Sequence, residues 1–106
     1  MINPRREKFE KIKNQIKEAQ NYLLIGIDVA KDKHNACFMI SSGRILNKHF
    51  VFENKFEGYK RLLQKIREYQ TAIQPEETVV GLETTGNYMT ALAHFLEEEG
   101  IFVLIV

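Results

Sequence analysis

Short apolar runs alternate along the chain with two stretches of helical periodicity. Tyr22 to Val29 reads Tyr-Leu-Leu-Ile-Gly-Ile-Asp-Val. It is nearly all apolar, as a strand covered on both faces would be. Lys31 to Lys33 interrupts it, and His34 to Ile40 forms a second strand. Ser41-Ser42-Gly43 has the composition of a tight turn, and Arg44 to Phe52 follows as a third strand. Phe56, Tyr59, Leu62, Leu63 and Ile66 then recur at the spacing of one buried helix face. Asn54 and Glu57 stand at the separation of a capping box at its start, and Pro75 closes the region. Thr78 to Leu82 is a short apolar strand. Thr84-Thr85-Gly86-Asn87 opens a second helix, with Tyr88, Leu92, Phe95 and Leu96 facing inward and Gly100 stopping it. Ile101 to Val106 is a last, wholly apolar strand.

The first three strands pair most simply as an antiparallel meander. The two strand–helix–strand crossovers make parallel neighbours, right-handed in nearly all cases. The expected fold is therefore α/β, a mixed sheet of five strands in the order 3-2-1-4-5 with flanking helices. That is the ribonuclease H-like (RuvC-like) arrangement, shared with the core of the actin and sugar-kinase group. An all-apolar strand at a chain end leaves its faces poorly covered. The expectation is that a final helix is missing from this sheet, and that the uncovered surface associates with a second copy.

Residues 3–20 predict an amphipathic helix ahead of this unit. Asn3 suits its cap and Pro4 its first turn, while Phe9, Ile12, Ile16 and Ala19 share one face. The division is thus an N-terminal helix over 1–21 and a partial catalytic domain over 22–106. Charge changes the picture only here. Residues 1–20 hold six basic side chains against three acidic ones, a net of +3 in a chain whose total is +1. The simpler reading of that excess is a solvated helix face. A basic arm also docks on nucleic acid, with Arg5 and Arg6 as its first charges. The single cysteine, Cys37, cannot form an intramolecular disulfide, and no stretch has the length of a membrane span. A cytoplasmic protein without membrane contact is expected.

Two carboxylates are candidates for chemistry. Asp28 stands near the end of the first strand, where a charge is costly to desolvate unless a cation or donors attend it. Glu83 follows Thr78-Val79-Val80-Gly81-Leu82 and precedes a helix start. Either residue alone reads as an ordinary strand end. In an open α/β sheet, however, sites form beyond the carboxyl ends of the strands. The predicted order puts both acids at that end of adjacent parallel strands, about 4.8 Å apart. Such a pair repels unless a cation lies between, and oxygen-only ligands suit Mg2+ or Mn2+. Thr84, Thr85 and Asn87 could contact phosphate at a helix start, although capping is the simpler role. Asp32 reads as a surface partner of Lys31 or Lys33. His34, His49 and His94 lack metal-ligand spacing and carry no assigned role.

Ile25-Gly26-Ile27-Asp28-Val29-Ala30-Lys31-Asp32-Lys33-His34 resembles the opening of the DEDD transposases of the insertion-sequence one-ten family, with which the pilin-gene invertases belong. Val80-Gly81-Leu82-Glu83-Thr84-Thr85-Gly86-Asn87-Tyr88 resembles their second motif. The resemblance covers roughly residues 22–106. It implies a RuvC-like nuclease with four acids, the first matching Asp28 and the second Glu83, both catalytic and metal-binding. In such proteins the other two acids and a serine-bearing domain lie further along. It implies a parent enzyme that cuts and rejoins DNA, in some members with a guide RNA. With two carboxylates against the six or so oxygens a hard cation takes, this stretch alone is expected to be inactive and to bind metal weakly.

Two other readings remain open. An actin-like ATPase or sugar-kinase fragment would share the strand order, but its phosphate turn needs a glycine where Ala30 stands. A non-catalytic regulator would bind nucleic acid through residues 3–20.

Overall fold

The computed structural model describes residues 21–83 and 86–106. The predicted helix over residues 3–20, with Arg5 and Arg6, lies outside the described residues, as do Thr84 and Thr85. The elements run β1 Tyr22–Asp28, β2 Lys33–Ile40, β3 Ile45–Glu53, α1 Phe56–Ile73, β4 Glu77–Glu83, α2 Thr90–Glu98 and β5 Phe102–Ile105. The sheet order is β3-β2-β1-β4-β5. β1 pairs antiparallel with β2 and parallel with β4, and β5 runs parallel to β4. This is the expected ribonuclease H-like α/β sheet. Among the described residues no helix is long and apolar enough to cross a membrane.

The β2–β3 turn needs its glycine. Gly43 has a φ of 97°, a left-handed conformation that costs a side chain about 1 kcal/mol or more, and its N–H donates to Ile40 O at 2.9 Å. Gly100 does the same after α2, at φ 78°. There the N–H of Ile101 reaches back to Leu96 O at 3.0 Å, satisfying a carbonyl the helix end would orphan. At the end of α1 no glycine is present. Gln74 takes the left-handed position at φ 51°, and Asn21 Nδ2 donates to the carbonyls of Ile73 and Gln74.

Both helices lie on one face of the sheet. Leu23, Ile25 and Ile27 of β1, Val80 and Leu82 of β4 and Phe38 of β2 meet Tyr59, Leu62 and Ile66 of α1 and Leu92 and Leu96 of α2 in the main core. A second, smaller cluster of Tyr22, Val79 and Leu104 occupies the other face. The all-apolar reading of β1 as a strand covered equally on both sides is therefore too simple, because on that other face Gly26 and Asp28 are exposed.

Several details differ from the sequence reading. Phe56 is 57% exposed, packing edge-on against Phe95 rather than joining the core. The second helix begins at Thr90, with Met89 as its N-cap residue, so Tyr88 precedes it and is exposed. The capping box is absent: Lys55 is the N-cap residue of α1 and makes no side-chain cap bond. Asn54 is engaged elsewhere. Of the last apolar run, Ile101, Val103 and Leu104 are buried within the chain, while Ile105 and Val106 are exposed.

Candidate functional site

Asp28 and Glu83 are the last residues of β1 and β4, and they are direct register partners. The N–H of Val29 donates to Glu83 O at 2.9 Å, so the two strands leave the sheet at the same height. Both side chains are exposed. Strand alternation puts them on the face opposite α1 and α2. Two residues earlier on that face, Gly26 is paired with Gly81. A Cβ at Gly26 would meet nothing within 4 Å, and one at Gly81 only Val106 Cγ2 at 3.8 Å. Among the described residues the backbone beside the acids is thus little covered, which leaves room for a ligand to approach closely.

The two carboxylates supply hard oxygens of the type a divalent cation takes. Among the described residues no group of three or more His, Cys, Asp or Glu converges. The donor set fits a hard cation in kind but supplies only two protein side chains. Asn87 is exposed in the segment before α2, and among the described residues no hydrogen bond links it to the acid pair.

Two residues that sequence reasoning passed over or misread shape the loop that follows Asp28. His34 was given no role, yet it is 1% exposed at the start of β2. Its Nδ1 accepts the N–H of Ala30 at 3.1 Å, which puts the proton of the neutral ring on Nε2. That Nε2 is buried and meets no hydrogen-bonding geometry among the described residues. Burial holds the imidazole below its usual pKa, ahead of opposing pulls from Asn54 and the Asp28 charge. The ring packs edge-on against Phe52 at 5.1 Å.

Asn54, read from its spacing as a helix cap, instead grips the loop. Its Nδ2 donates to Lys31 O and its backbone N–H to Asp32 O, both at 2.9 Å. Its own Oδ1 accepts from the Tyr59 hydroxyl. The signal available in the sequence was only the polar Asn54 beside an apolar strand end. The expected ion pair of Asp32 with Lys31 or Lys33 does not form, and none of the three side chains stands in an ion pair among the described residues. A recess of about 320 Å³ lined by Gln70, Glu77 and Gly100 lies at the opposite end of β4 from the acids, and it is not part of this site.

Solved structures share the fold. Pelota from Archaeoglobus fulgidus matches with a TM-score of 0.54 at 13% identity, over 99% of this chain and 32% of that one. A Bacteroides thetaiotaomicron protein of actin-like ATPase fold and unknown function matches with a TM-score of 0.55 at 15% identity, over 91% of this chain and 37% of that one. The chain spans about a third of the length of each, and at these identities the likeness concerns the fold alone. No curated protein matches the chain. The model of the IS110-type DEDD family, described as transposase, matches residues 25–106. That span contains both acid motifs and most of the sequence, and the chain therefore belongs to the DEDD transposases of the IS110 family.

Proposed function

We propose that Asp28 and Glu83 hold a divalent cation, Mg2+ or Mn2+, as part of a transposase site that cuts and rejoins DNA. The observation that carries this reading is their direct pairing at the carboxyl ends of two adjacent parallel strands. When bound, such a cation activates water and stabilises a leaving oxygen in phosphodiester cleavage. The protein's part is to hold two like charges side by side at one height, with the Val29–Glu83 backbone bond keeping the strand ends in register. Two carboxylates fall short of the six or so oxygens a hard cation takes. Metal binding by this chain alone is therefore weak, and cleavage requires further acids.

DNA is the proposed substrate and an RNA guide a further partner. Thr84, Thr85 and Asn87 offer phosphate contacts, and Arg5 and Arg6 offer basic ones. Self-association with a second copy is a further proposal. An ATPase reading meets a specific obstacle. A phosphate turn after Asp28 needs free backbone donors and a residue without a side chain. Here the position is Ala30, and its N–H is already engaged by His34.

Strand cleavage of branched and linear DNA with Mg2+ or Mn2+ tests the proposal. Residues 1–106 are expected to show none. Robust activity abolished by Asp28→Ala would mean that the site is complete within this chain. Robust activity that survives both Asp28→Ala and Glu83→Ala would overturn the assignment of the acids.

A further inference from the structure

The loop between β1 and β2 is held more firmly than a surface loop ordinarily is. It follows Asp28 directly and exposes Ala30, Lys31 and Asp32, with Lys33, the first residue of β2, exposed at its end. Yet its backbone is engaged at every step from Val29 to Asp32. The N–H of Val29 goes to Glu83 O, that of Ala30 to His34 Nδ1, and the carbonyls of Lys31 and Asp32 accept from Asn54. The ring that holds Ala30 is itself 1% exposed, so the anchor of the loop is part of the protein interior. The Lys31 and Lys33 side chains are exposed, and neither stands in an ion pair among the described residues.

We propose that this loop is a preorganised phosphate clamp for DNA, with Lys31 and Lys33 as the contacting residues and His34 and Asn54 as positioning residues. The inference rests on the acid-pair reading for its purpose. A polyanion approaching two exposed carboxylates is repelled, and cations fixed beside them offset that repulsion. A lysine on a mobile loop must be ordered at binding, whereas a lysine on a clamped loop carries less of that cost. Asp32 offsets one of the two lysines, and Glu53, the register partner of Lys33, is itself paired with Lys55 at 3.0 Å, so the contact is local and does not depend on a broad basic surface.

The test is fluorescence anisotropy of residues 1–106 with a short labelled DNA duplex of mixed sequence, in EDTA, over a salt series. The Lys31→Ala/Lys33→Ala variant should bind about tenfold or more weakly at low salt. It should also flatten the slope of log affinity against log salt by about two, one for each lost phosphate contact. Lys48→Ala/Lys65→Ala, which alters two lysines away from the loop, should change neither. Asn54→Ala should lower affinity several-fold and leave the slope unchanged, because both ammonium groups remain but their loop is released. A loop variant that matches the unaltered chain in affinity and slope would overturn the proposal. So would absence of binding by the unaltered chain at low salt. Neither result bears on the acid pair, which manganese binding to Asp28→Asn and Glu83→Gln variants tests separately.

Discussion

On the face of the sheet that packs against α1 and α2, Leu23, Ile25 and Ile27 of β1 are each no more than 2% exposed. The residues between them belong to the other face and run Tyr22, Leu24, Gly26, Asp28, from buried through half-buried to open. β4 repeats the contrast, with Val80 and Leu82 at 0% and Val79, Gly81 and Glu83 grading outward along the strand. One face supplies stability throughout its length. The other supplies it only at the end away from the acids and gives way to little-covered backbone and charge. The two carboxylates of the proposed site stand where the core makes no demand, exposed to water, where their repulsion is screened.

The contrast is broken most severely by cavities. Phe38→Ala on the helix-covered face should destabilise by about 3–5 kcal/mol, while Leu24→Ala on the other face, where the side chain is half-buried, should cost about half as much or less. Urea denaturation of both variants checks this, and equal costs would mean that the two faces are not different in kind.

Glycines give a sharper version with opposite signs. A Cβ on Gly58 would overlap the backbone of Glu53 where α1 crosses the end of β3, so Gly58→Ala should destabilise by about 1–3 kcal/mol. At Gly26 there is open space, and Ala should stabilise by about 0.4–1 kcal/mol through the unfolded chain. Thermal melts of the two variants should therefore move in opposite directions.

Acidification tests the buried side of the site. The unfolded His34 imidazole takes a proton near 6.5, and burial lowers the folded value. The full contribution of neutral His34 to stability is thus present above about pH 6.5. It is lost as pH falls from there, by at most about 1.4 kcal/mol per unit, until the folded group also protonates. His34→Leu should remove that slope in denaturant titrations between neutral and mildly acidic pH.

Much of this architecture was legible in the sequence. The strand order followed from the hairpin at Ser41-Ser42-Gly43 and from two helical crossovers, because connection rules leave few alternatives. The acid pair followed from that order, since two strand-end carboxylates at one edge of adjacent parallel strands are neighbours by construction. What periodicity could not give was long-range polar pairing. Asn54 has the local spacing of a cap, but its amide finds Lys31 O, 23 residues away in the chain. His34 showed no metal-ligand spacing, and its role depends on a backbone N–H that only the folded loop brings to its ring. Phe56 and Tyr88 failed for a related reason, since each lies at an element's margin, where a helix face ends before the periodic pattern does.

Manganese binding followed by NMR line broadening tests the central claim most directly, because it needs neither DNA nor catalysis. With 15N-labelled residues 1–106, substoichiometric Mn2+ should broaden amides around Asp28, Val29, Leu82 and Glu83 and leave the opposite end of β4 sharp. Asp28→Asn and Glu83→Gln should each abolish the effect while the remaining spectrum persists. Broadening centred elsewhere, or unchanged in both variants, would contradict the assignment of Asp28 and Glu83 as a metal-binding pair.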